Sequence, residues 1–109
     1  MAKIVKIVKG SFDGWLNKIE KGILNGSVSA TLEDKCDFRS GDARCSVRVF
    51  ERYSYAGGNR VSMSVTLFQN ADDSIYVSAI TSGGSEAIFF KLNTLGEETF
   101  LAKLEELLR

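Results

Sequence analysis

Two cysteines, Cys36 and Cys45, are the residues whose type and spacing first suggest chemistry. They flank the turn Arg39-Ser40-Gly41-Asp42. With Ser40-Gly41 as a two-residue loop, Cys36 lies directly opposite Cys45 in a non-hydrogen-bonded pair on the core face. Such pairs bring Cα atoms to about 4.5 Å, a spacing a disulfide can bridge. In a reducing cytoplasm the expectation is two free thiols packed as small hydrophobes. A redox switch needs a thiol that is exposed and shifted toward thiolate, and this register turns both toward the core.

Other chemistry is narrowed by exclusion. The chain has no histidine, which removes the commonest general base and the commonest metal ligand. Two cysteines without histidine do not complete an ordinary zinc site. No Gly-Lys-Ser/Thr loop occurs, and Ser82-Gly83-Gly84-Ser85 reads as a turn before it reads as an anion nest. A nucleophile needs an activating base, and none is evident. The composition weighs against an enzyme and implies neither cofactor nor metal.

Two residue groups keep binding in view. By strand parity Asp34 and Glu51 fall on an otherwise apolar face near Tyr53, Tyr55 and Met63, where they would anchor a small apolar ligand. The plainer reading sets these carboxylates at a frayed edge or against a cationic or hydroxyl partner, because a lone buried charge is costly. The opposite face would carry Arg48, Phe50, Arg52, Phe68 and Tyr76, beside Arg44. Arginines interleaved with aromatics can stack on bases, yet Glu33, Asp37 and the neutral net charge favour a solvated or dimer-forming surface over nucleic acid.

The elements that position these residues follow from periodicity. Runs around 44–55, 60–69 and 74–81 alternate with period two and are rich in β-branched and aromatic residues. Turn compositions separate them. Apolar matching places Tyr53 opposite Val61, Val49 opposite Val65 and Leu67 opposite Val77. Ser27 to Phe38 alternates too, with Val28, Ala30, Leu32, Cys36 and Phe38 on one side. Lys3 to Lys9 is a short strand, apolar on both faces at Ile4, Val5, Ile7 and Val8, with lysines that discourage edge pairing.

Ser11 caps a helix whose stripe is Phe12, Trp15, Leu16, Ile19 and Ile23, with Trp15 expected at the centre of the core. Thr94 and Glu97 fit a capping box before a second helix carrying Phe100, Leu101, Leu104, Leu107 and Leu108. The segment 86–92 is read as a further strand, with a short helix as the alternative.

The fold class is therefore α+β, an antiparallel meander of about five to six strands with both helices packed on one face, in the order β-α-β-β-β-β(-β)-α. Residues 1–109 form one domain at this length. Fourteen basic and fourteen acidic residues cancel, so no long-range field draws the molecule to nucleic acid or an anionic membrane. No apolar run is long enough for a signal peptide or a bilayer span, which points to the cytoplasm.

The element order resembles the TATA-box-binding-protein-like and helix-grip architectures, which implies a ligand cavity between the sheet and the C-terminal helix in larger members. The segment Ser82-Gly83-Gly84-Ser85-Glu86-Ala87-Ile88-Phe89-Phe90-Lys91, followed by Gly96-Glu97-Glu98-Thr99-Phe100-Leu101, is similar to a family of small uncharacterised bacterial proteins of this length. That likeness implies no activity. The functional expectation is a non-catalytic module binding a ligand or partner. Its alternatives are a homodimer formed through the sheet and a weak nucleic-acid binder.

Overall fold

The lysine-punctuated apolar run at the start of the chain forms β1 (Ala2–Lys9), and the other elements follow as α1 (Phe12–Gly26), β2 (Thr31–Ser40), β3 (Ala43–Ser54), β4 (Asn59–Gln69) and β5 (Ser74–Gly83). A C-terminal helix, α2, runs over 100–107. These elements belong to a computed structural model that describes residues 2–26, 29–54, 59–83 and 100–109. Tyr55, the strand-or-helix segment 86–92 and the Thr94–Glu97 capping box lie outside the described residues.

The strands form one antiparallel sheet in the order β1-β5-β4-β3-β2. Strands β2 to β5 make the meander, and β1 adds beside β5 with Ile4 opposite Ala79 and Ile7 opposite Tyr76. Both helices cover the same face. Phe12, Leu16, Ile19 and Ile23 of α1, Phe100 and Leu104 of α2 and Leu108 just beyond it join one buried cluster with Phe50, Met63, Val65, Leu67 and Val77 from the sheet. Fully burying each such side chain is worth about 1.5–3 kcal/mol before conformational entropy is counted.

Helix α1 starts as its sequence implies. The Ser11 hydroxyl accepts the Gly14 N–H at 3.0 Å, which satisfies one of the open donors of the first turn. Trp15 departs from expectation. It is half-buried at the rim of the core, and its indole N–H donates to the Lys9 carbonyl at 2.8 Å.

The structure corrects three registers or faces. In the first hairpin Ser40 pairs with Ala43, so Gly41-Asp42 is the loop, Cys36 pairs with Val47 and Cys45 with Phe38. Gly41 has φ 57° while no non-glycine residue among those described has positive φ. That is the type II′ arrangement, in which glycine takes the first loop position; a Ser40-Gly41 loop of the primed types would force a positive φ on Ser40. The two cysteines are therefore diagonal neighbours, about 7–8 Å apart, beyond easy bridging. Both are free, Cys36 exposed and Cys45 half-buried, so neither faces the core.

The second correction lies between β3 and β4, where Arg52 pairs with Val61, Arg48 with Val65 and Phe50 with Met63. The even-numbered residues of β3 thus point inward and its valines outward. The third is in β2. A bulge between Leu32 and Asp34 shifts the alternation by one, as an extra residue must. Leu32 stays with the core, while Cys36 and Phe38 move to the other face. Leu67 pairs with Val77 as the apolar matching requires.

Candidate interaction face

Apart from Phe50, the inward side of β3 is polar, with Arg44 and Arg48 beneath the charged flank of α1. Arg44 donates to Asp13 at 2.9 Å, and its guanidinium sits 4.1 Å from the centre of the Phe12 ring. One turn of the strand pattern further, Arg48 is 5% exposed. Its Nε donates to Glu20 at 2.6 Å and its Nη1 donates to Asp37 at 3.0 Å and to the Val47 carbonyl at 2.9 Å. Ser46 Oγ also donates to Asp37, at 2.6 Å.

These contacts tune the charges. The Ser46 hydroxyl first, then Arg48, holds the Asp37 carboxyl below the usual carboxylate range. Burial alone would lower the Arg48 pKa, but the hydrogen bonds to Glu20 and Asp37 outweigh it and the net shift is upward. Arg52 has only the burial effect, which lowers its pKa. Its guanidinium lies 4.8 Å from the Phe100 ring centre, and among the described residues its buried Nε has no hydrogen-bond partner.

The other side of the sheet carries no helix among the described residues. Pairing links its side chains into rows, the first three of which cross all five strands. The first row runs Phe38, Cys45, Phe68, Tyr76, Ile7 and is apolar from edge to edge. Its Phe68 and Tyr76 rings lie 6.3 Å apart, tilted at 44°, within the centroid range of interacting aromatic pairs. The second row is Cys36, Val47, Thr66, Ser78, Val5, and the third is Asp34, Val49, Ser64, Ile80, Lys3. The fourth is polar: Thr31, Glu51, Ser62 and Ser82, with the two serine hydroxyls 2.8 Å apart.

The face is thus graded from an aromatic end to a hydroxyl-rich end. Among the described residues, all seven of the large hydrophobic side chains that stand exposed lie on it, from Val5 at 66% and Phe38 at 62% to Phe68 at 40%. Isolated exposed hydrophobics are ordinary, whereas a contiguous patch marks a contact surface. Its concavities are shallow. One of about 190 Å³ is lined by Phe38, Ala43, Cys45 and Phe68 among others, and one of about 330 Å³ by Phe68, Asn70, Asp72 and Tyr76.

The residues singled out from the sequence are divided by this geometry. Asp34, Glu51 and Tyr53 are on the open face, while Met63 is fully buried under the helices. Glu51 is half-buried and accepts Arg60 Nε at 2.8 Å, and Asp34 is exposed with its carboxylate on the Lys35 N–H at 2.8 Å. Phe68 and Tyr76 stand on the open face, but Arg48, Phe50 and Arg52 point inward, so the arginine–aromatic surface does not assemble. Val5, Ile7, Phe38, Val47 and Ile80 complete the patch and escaped the sequence reading. The two-sided apolar pattern of β1 was the signal, since an edge strand with one wet face has no need of Val5 and Ile7.

Among the described residues no group of three or more His, Cys, Asp or Glu could hold a metal ion, and no helix is long and apolar enough to cross a membrane. Residues 1–109 match the family described as DUF6054, a family of unknown function. No curated protein matches the chain.

Proposed function

We propose that this chain, which belongs to the DUF6054 family, is a non-catalytic binding module that docks another protein surface through its open sheet face. The observation that carries this reading is the edge-to-edge apolar row Phe38, Cys45, Phe68, Tyr76, Ile7. Leaving it in water forfeits roughly 25 cal/mol for each Å² of apolar surface, and a protein partner recovers that term. A broad, flat face suits a protein surface. Small ligands are held in clefts that bury most of their area, and the depressions here are shallow. Nucleic acid is disfavoured because Arg44 and Arg48 are already engaged by Asp13, Glu20 and Asp37.

A photo-cross-linking side chain at position 68, compared with one at the exposed helix position 21, tests the reading in the cells that produce the protein. Protein adducts of defined mass from position 68 alone are expected. Equal adducts from both positions, or none from position 68, would overturn it.

A further inference from the structure

We infer that the protein docked on the open face is a second copy of this chain, packed face to face about a two-fold axis that runs along β4. This rests on the docking role proposed for that face.

The argument begins with the central position of β4, which has two strands on either side. An isologous dimer of two facing sheets has its axis in the plane between them. If that axis crossed the strands, the apolar first row of one copy would meet the polar fourth row of the other. If it follows β4, each row meets itself in reverse. Phe68 then faces Phe68 of the second copy on the axis, Tyr76 faces Cys45, and Ile7 faces Phe38. In the second row Thr66 meets Thr66, and Val5 meets Cys36.

The third row supplies the charge test of this arrangement. Lys3 and Asp34, both exposed, occupy its two ends, on the edge strands β1 and β2. They are the same number of strands from the axis, so reversal sets Lys3 of each copy over Asp34 of the other. Two opposite-sign pairs result at the rim, outside the apolar contact. Such rim complementarity fixes orientation and suppresses wrong partners. The overall charge balance leaves no net repulsion between copies.

The size also fits. Five strands about 4.8 Å apart and rows covering about seven residues give roughly 600 Å² per copy, or about 1,200 Å² in all, at the lower end of specific interfaces. Aligned sheets packing at about 30° keep the rows in contact. Edge-to-edge pairing is the competing route, and the charged edges oppose it. Strand β1 presents Lys3, Lys6 and Lys9, and β2 presents Glu33, Asp34, Lys35, Asp37 and Arg39, the charge placement that blocks strand addition.

The test is sedimentation velocity of the full chain over a concentration series, with thermal melts confirming that each variant folds. The wild-type chain is expected to reach twice its 12.0 kDa mass. Phe68→Asp, which opposes two carboxylates on the axis, should leave only monomer. Lys3→Glu and Asp34→Lys, each replacing two attractive pairs with two repulsive ones, should each weaken association by about tenfold. The double exchange Lys3→Glu with Asp34→Lys should restore it.

A dimer indifferent to Phe68→Asp, or a double exchange no tighter than the single ones, would overturn the arrangement. A chain monomeric throughout would overturn self-association. The docking reading fails separately, by the cross-linking result, and survives if position 68 captures a different protein.

Discussion

At the scale of individual residues, Arg48 carries a structural duty that Arg60 does not. Both bond a glutamate, at 2.6 Å and 2.8 Å. The Arg48 side chain is 6% exposed and that of Arg60 is 54%. Water screens the exposed pair, and such pairs are worth at most about 1 kcal/mol. Removing Arg48 takes the guanidinium from Glu20 and Asp37, leaving Asp37 only the Ser46 hydroxyl, and leaves a hole beneath α1. Arg48→Ala should cost on the order of 2–4 kcal/mol in urea unfolding, whereas Arg60→Ala should be near neutral. Equal losses would mean that burial does not separate the two sites.

The same cluster sets a pH dependence. The pKa of Asp37 is lowered in the folded chain, by Ser46 and then Arg48. Its contribution is therefore fully present above the ordinary aspartate range and lost as pH falls through the depressed value. Asp13, held down by the Arg44 hydrogen bond, behaves alike. Both carboxylates are largely exposed, so the acid effect is modest.

At the scale of elements, the contact between the two helices turns on Gly22. A Cβ built there would lie 2.5 Å from both Leu107 methyl carbons and 3.0 Å from its Cγ. Glycine in mid-helix costs up to about 1 kcal/mol in propensity, and the close approach of α2 is what that cost permits. A branched side chain would drive the helices apart. Gly22→Val should destabilise by about 1–3 kcal/mol, the usual range for overpacking, despite valine's better helix propensity. A variant as stable as the parent in thermal and urea unfolding would show that Leu107 yields without consequence.

For the whole molecule, the two sheet faces divide the roles. One is buried by α1 and α2, and the other offers an apolar band. A self-associating protein gains stability by mass action, since only the folded form dimerises. The melting temperature should therefore rise with protein concentration, and that rise should vanish in Phe68→Asp. Calorimetry at about 5 µM and about 500 µM spans a hundredfold range, over which dimerisation is worth roughly 2.7 kcal/mol per mole of dimer. A wild-type melting temperature independent of concentration would count against self-association.

Local patterning determined the α+β class, the element order as far as it is described, the helix stripes and the β4–β5 register, because each depends on short-range periodicity. It also yielded the family likeness. It did not determine which face of β3 is inward. Both sides of that strand bear apolar residues, Val47 and Val49 on one and Phe50 on the other, so alternation alone assigned the valines to the core. The arginines turn inward because α1 brings Asp13 and Glu20 over the strand, and those partners lie at least 28 positions away in the chain. The bulge at Leu32/Asp34 then moved Cys36 and Phe38 outward. The apolar band exists only once five strands are paired, since its five residues come one from each strand and hairpin pairing alone joins them no more than two at a time.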